Sequence, residues 1–134
     1  MAATRILLVE DQTLVRIITA EILRAEGFDV TEAWDADEAG RLLDGFDTFD
    51  ALLTDVQMPG EGDGIDVAVH ARRRHPDISV LILSGYAPRL RARLAGFSPA
   101  VTYIGKPYAL DDVMGTLRRL VAAASLPGTS CPGP

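Results

Sequence analysis

Several side chains of types that do chemistry stand where apolar runs stop. Glu10 and Asp11 follow RILLV, Asp55 follows ALLT, Ser84 follows VLIL, and Lys106 follows VTYIG and precedes a proline. If the first and third of these runs are neighbouring strands, three carboxylates meet at one edge. Two unit charges about 4 Å apart repel by roughly 4 kcal/mol at an effective dielectric near 20, so such a cluster calls for a cation. Oxygen-only donors suit Mg²⁺, which keeps several waters and readily shares a phosphate oxygen. Lys106 falls on the same edge, where a phosphoryl group needs positive charge. A strand-end acid, serine or lysine taken alone is usually just solvated. The coincidence over several strand ends is what carries the reading.

Those residues need a frame that sends several strand ends to one side. Residues 5–10 form a continuous apolar run ending in acids, as a central parallel strand does. Residues 11–26 read as a helix with Leu14, Ile18, Ile22 and Ala25 on one face and Ile17 beside them, closed by Gly27. Residues 28–33 alternate like an edge strand. Asp35 is placed to cap the next helix, with Glu38 completing a capping-box pattern, and that helix stops at Gly45. A third strand at 50–55 leads into the Gly-rich loop MPGEGDG. A helix at 65–74, a fourth strand at 80–84, a short helix within 85–96 and a fifth strand at 101–104 follow. The last helix runs from about 110 to 124, with Asp111 and Asp112 in its first turn and Arg118 and Arg119 toward its end, both favourable to the helix dipole. This β-α alternation, five times over, predicts an α/β fold with a parallel sheet covered on both faces. Ligands bind such sheets beyond the carboxyl ends of the strands, where Asp55 stands.

The chain of 134 residues suffices for one core and not for two. Its net charge of -6 argues against non-specific nucleic-acid binding and against an anionic membrane surface. No apolar run approaches a membrane span, and the N-terminus has no signal pattern, so a cytoplasmic location is expected. The single cysteine, Cys131, provides neither an internal disulfide nor a metal cluster. Residues 125–134 are rich in Pro, Gly and Ser and are expected to be disordered. Twelve arginines against one lysine single out Lys106, because the two side chains are not interchangeable where a compact charge is needed. His70 and His75 read as solvated helix ends, and Trp34 as packed.

Taken together, Glu10-Asp11, Asp55, Met58-Pro59, Ser84-Gly85 and Lys106-Pro107, in this order on these strands, resemble the receiver domain of two-component response regulators. The resemblance covers roughly residues 3–124 and implies a flavodoxin-like, doubly wound five-stranded parallel sheet in the order 2-1-3-4-5 with five helices. It implies Asp55 as phosphoacceptor, Asp11 as a Mg²⁺ ligand, Glu10 as holder of metal-bound water, and the carbonyl of Gln57 as a further ligand. Ser84 would bond a phosphoryl oxygen, Lys106 would pair with the phosphate, and Tyr103 matches an aromatic switch position. A cis Lys106-Pro107 bond would aim the lysine inward. The implied partners are a histidine kinase or phosphotransfer protein and a downstream protein. The fourth helix, fifth strand and fifth helix would form the output surface. There Arg89 and Arg93 could meet Asp111 and Asp112 of a second copy in a homodimer.

This sequence departs from the family pattern in three ways. The loop MPGEGDG is one residue longer than the commonest form, Ser84 replaces a more common Thr, and no output domain follows residue 124, as in a stand-alone receiver. The main rival is a Mg²⁺-dependent aspartyl-phosphate hydrolase, which needs a second acid two positions after the nucleophile. That position is Gln57, which cannot donate a carboxyl proton. A flavin-binding module would want a phosphate loop after the first strand, and EDQTLV is acidic where an anion should sit.

Overall fold

The computed structural model describes residues 3–57, 62–85, 90–97 and 101–125. Met58-Pro59, Arg89, Cys131 and the tail beyond residue 125, all singled out above, lie outside the described residues. The apolar runs form five parallel strands, β1 (Arg5–Val9), β2 (Asp29–Ala33), β3 (Ala51–Asp55), β4 (Ser79–Ser84) and β5 (Thr102–Gly105). They lie in the order β2-β1-β3-β4-β5. The connecting helices are α1 (Thr13–Ala25), α2 (Ala36–Asp44), α3 (Gly64–Arg74), α4 (Leu90–Leu94) and α5 (Leu110–Ser125). Because every pairing is parallel, the carboxyl ends of all the strands share one edge.

Alternation along the strands divides the core in two. Leu7, Val9, Leu52, Val80 and Ile82 pack with Ala39 and Leu43 of α2 and Ile65, Ala68 and Ala71 of α3. Ile6, Leu8, Leu53, Leu81 and Leu83 face the other way, against Ala20 and Leu23 of α1 and Val113 and Leu117 of α5. A side chain of this size contributes roughly 1.5–3 kcal/mol when fully buried. No helix among the described residues is long and apolar enough to cross a membrane.

The expected inward face of α1 is corrected. Thr19, Ala20 and Leu23 are the buried residues, while Leu14 is 73% exposed, Ile18 51% and Ile17 42%. At 100° per residue the two groups lie on opposite sides of the helix. Apolar periodicity reveals that a stripe exists but not which stripe meets the sheet. Here the small Ala20 packs with Leu23 against Ile6 and Leu8 of β1. Trp34 is also half-exposed rather than packed. Asp35 does cap α2 through the Glu38 N–H (2.8 Å), while the Glu38 carboxylate pairs with Arg41. Gly27 closes α1 with φ of 97°, a backbone region that favours glycine.

Gly64 opens α3 directly against the strand that ends in Asp55. Its N–H donates to the Val56 carbonyl at 2.8 Å. A Cβ there would sit 2.0 Å from the Asp55 carbonyl oxygen. Gly64→Ala is therefore expected to destabilise by about 3 kcal/mol or more, as overpacking against fixed backbone does. Gly27→Ala, with open space around it, should lose only about 1 kcal/mol from its left-handed backbone. Chemical-denaturation midpoints of the two variants test the ranking.

Candidate functional site

Asp55 is the last residue of β3 and is 6% exposed. One carboxylate oxygen, Oδ2, accepts from the Lys106 ammonium at 2.5 Å. The other, Oδ1, accepts a longer bond of 3.2 Å from the Gln57 N–H. Around it the backbone is fixed on two sides, by Val56 N–H to the Leu83 carbonyl (3.0 Å) and by the Gly64 bond. Lys106 arrives from the end of β5, and its own N–H donates to the Ser84 carbonyl, joining the ends of β4 and β5. The Lys106-Pro107 bond is cis. Ser84 is buried, and its hydroxyl donates to the Gly85 carbonyl at 2.8 Å.

Glu10 is 5% exposed, and its Oε2 accepts from the Gln12 N–H at 3.0 Å. Burial pushes its pKa above the ordinary glutamate value, the Gln12 bond works the other way, and the charges of Asp11 and Asp55 push it up again. For Lys106, burial opposes the charged form, but the hydrogen bond and charge of Asp55, with Glu10 behind it, outweigh burial and raise the pKa. Glu10 thus feels the charges of Asp11 and Asp55 as well as its burial, and Lys106 lies against Asp55 as a neutralising charge. Among the described residues, no three acids or histidines form a ready-made metal cage. Carboxylate and carbonyl oxygens are the donor type at this edge, which fits Mg²⁺ because that ion retains much of its water.

Other expected residues lie outside this cluster. Tyr103 is 39% exposed on β5. His70 Nε2 lies 2.8 Å from Asp44, joining α3 to α2. His75, expected to be solvated, instead buries an Nε2 that has no hydrogen-bond partner among the described residues, edge-on to Phe49. Two features were not legible in the sequence. Tyr108 is half-buried beside Lys106; burial raises its pKa, Lys106 lowers it, and Glu10 and Asp55 raise it again. Arg93 of α4 grips Asp63 with two nitrogens, at 2.6 and 3.3 Å. Asp63 also caps α3 through the N–H groups of Ile65 and Asp66. The capping-box pattern DGID at 63–66 could have revealed the cap, but nothing local reveals its partner 30 residues away.

Residues 6–118 match the response regulator receiver domain. Over 121 residues the chain is 32% identical to the transcriptional regulatory protein PdtaR of Mycobacterium tuberculosis, covering 88% of this chain and 57% of that one. The chain thus spans little more than half of that regulator's length. Among solved structures, a response regulator receiver protein from Sinorhizobium medicae is 25% identical with a TM-score of 0.83, covering 92% of this chain and 98% of that one. The response regulator TrrA from Thermotoga maritima, in complex with Mg²⁺ and BeF, is 28% identical with a TM-score of 0.73, covering 87% and 98%.

The crowding of acids has a measurable consequence. Glu10→Gln keeps an oxygen for the Gln12 N–H and removes one negative charge. It should stabilise the metal-free protein at neutral pH by about 1–2 kcal/mol, the scale of one like-charge repulsion at partly buried separations. Because the folded pKa of Glu10 is raised, the wild type regains that stability as pH falls through the folded pKa toward the ordinary glutamate value of 4.5. The difference between the two proteins should close there. Thermal melts across pH in the presence of a chelator check both sign and window.

Proposed function

Because the chain belongs to the response regulator receiver domain family, we propose that Asp55 is its phosphoacceptor, taking a phosphoryl group from a phosphohistidine on a kinase or phosphotransfer protein. Receiver domains are signalling modules that bind Mg²⁺ and interact with histidine kinases and downstream effectors. The observation that carries the assignment is the 2.5 Å contact between the nearly buried Asp55 carboxylate and the sole lysine of the chain.

Lys106 holds Oδ2, leaving Oδ1, with its one long hydrogen bond, as the less encumbered nucleophile. A new P–O bond forms as the P–N bond to the imidazole breaks, and the released ring nitrogen takes up a proton. Lys106 then transfers its hydrogen bond to a phosphoryl oxygen, and Ser84 turns its hydroxyl from the Gly85 carbonyl to another. Asp11, Asp55 and the Gln57 carbonyl would hold Mg²⁺, with Glu10 behind them, and the ion would supply charge neutralisation for the transferring oxygens. Gln57 has no acidic proton to give a leaving group, so the chain modifies itself and slowly loses the phosphoryl group rather than turning over a free substrate.

Signal entry and exit use different surfaces in this reading. The exposed Leu14, Ile17 and Ile18 lie on α1, which begins two residues after Asp11. They offer an apolar face to the helices of a phosphodonor protein beside the acid pocket. On the output side, movement of the Ser84 hydroxyl makes room for the half-exposed Tyr103 to turn inward, a packing switch with two arrangements. A different protein suits that surface better than a second copy. Arg93, one of the charges a two-fold contact would use, is already held by Asp63.

With acetyl phosphate and Mg²⁺, the wild-type chain should gain the mass of one phosphoryl group, and a chelator should prevent it. Asp55→Asn should slow that gain by roughly a hundredfold or more, since it removes the nucleophile. Unchanged labelling of the variant at the same rate would reject the assignment. The paired substitution Ile17→Asp, Ile18→Asp should reduce transfer from a cognate phosphodonor protein by about tenfold, the effect of losing about 1.4 kcal/mol of contact. Labelling by acetyl phosphate should not change, and rates measured with both donors on one preparation separate docking from chemistry.

A further inference from the structure

Arg16 lies one turn into α1 with its side chain only 14% exposed. One guanidinium nitrogen, Nη1, donates to the Glu10 carbonyl at 3.0 Å. Nε stands 3.3 Å from Oε1 of Glu32 on the edge strand β2. The second Glu32 oxygen is 3.2 Å from Arg24, which also donates to the Val30 carbonyl at 2.9 Å. The Glu10 N–H donates to the Ala33 carbonyl at 3.0 Å. The backbone of Glu10 is therefore held at both ends by β2, directly through its N–H and through Arg16 at its carbonyl. That carbonyl is bonded to the nitrogen of Asp11, so Arg16 fixes where Asp11 begins. The Gln12 side chain makes no capping bond, and its N–H donates to the Glu10 carboxylate within the turn itself.

We propose that Arg16 is a positioning residue that sets the divalent-cation affinity of the acidic pocket by holding the Glu10-Asp11 peptide in place. This rests on the Mg²⁺ reading above. Without a cation the pocket acids repel one another, and a free turn would relax by swinging Asp11 outward. The Arg16 strap resists that relaxation, so the donors are already in place when the ion arrives. Removal of outer partners that orient metal ligands typically weakens binding by about 10- to 100-fold.

Sign separates this role from the two simpler ones. If Arg16 acted only through its charge, deleting a cation beside the pocket would tighten Mg²⁺ binding. If it only stabilised the fold, affinity measured well below the melting temperature would not move. Calorimetric titration of the full chain with Mg²⁺, with the Mg²⁺-dependent rise in Tm as a second readout, distinguishes them. Arg16→Gln should weaken Mg²⁺ by about tenfold and Arg16→Lys, which keeps a donor but not the fork, by less. Arg24→Gln removes the same charge and the other contact to Glu32 and should leave the affinity unchanged. Equal or tighter binding in Arg16→Gln overturns the proposal. Should that variant not fold, Glu32→Gln, which loosens Arg16 from β2, takes its place; weaker binding supports the proposal and unchanged affinity overturns it. A wild type that does not bind Mg²⁺ at all overturns the metal reading and this inference together, whereas a wild type that binds with Arg16→Gln unchanged overturns this inference alone.

Discussion

Like charge gathered at one edge is the constraint on which the rest of this structure depends. Parallel strands bring Glu10 and Asp11 after β1 and Asp55 at the end of β3 to one edge of the sheet, Glu10 and Asp55 nearly buried. Such an arrangement opposes folding unless a positive charge is built in. Lys106 supplies it from the end of β5, four residues after that strand begins. A pair with one buried and one partly exposed member adds little net stability, since desolvation of Asp55 offsets part of their attraction. The pair therefore acts less as a source of stability than as a condition for holding the acids close. The sheet tolerates the arrangement because two apolar layers stabilise it independently of the edge.

The architecture was largely legible because it is written in local patterns. Continuous apolar runs at β1 and β4 are what strands buried on both faces require, and their stops at acids, serine and lysine mark the functional edge. Lys106 stood out by scarcity and Asp55 by position. What was not legible depends on distances through space. Periodicity placed an apolar stripe on α1 but could not orient it, since inwardness there is decided by small Thr19 and Ala20. Arg16 looked like any helix arginine until β2 brought Glu32 beside it. Glu38 had the right spacing for a reciprocal cap, yet Arg41 on the next turn competes for its carboxylate. The Asp63 cap was local, while its grip by Arg93 was not.

Arginine serves this chain as a fastener. Arg16 and Arg24 share Glu32 and bind α1 to β2. Arg72 ties the end of α3 to the Ile78 carbonyl, Arg93 joins α4 to the start of α3, and Arg118 of α5 reaches Glu26 beyond α1. A planar fork with several donors can satisfy a carbonyl and a carboxylate together, which an ammonium does less well. Most of these pairs are partly exposed and individually weak. Their common effect is to fix how the helices meet the sheet, and so where the strand ends point.

The bond from the Gly64 N–H to the Val56 carbonyl closes the base of the segment that carries the longer loop sequence. Asp63, next to Gly64, is held in turn by Arg93 and by its own helix cap. A segment fastened at both ends is an interchangeable part. Closure entropy grows only slowly with length, each doubling adding about 0.6 kcal/mol, so an extra residue between the fastenings need not disturb Asp55. Length and composition can change between these two bonded positions while the Asp55 carboxylate keeps its place. A change of length there is confined to a region that the scaffold has insulated.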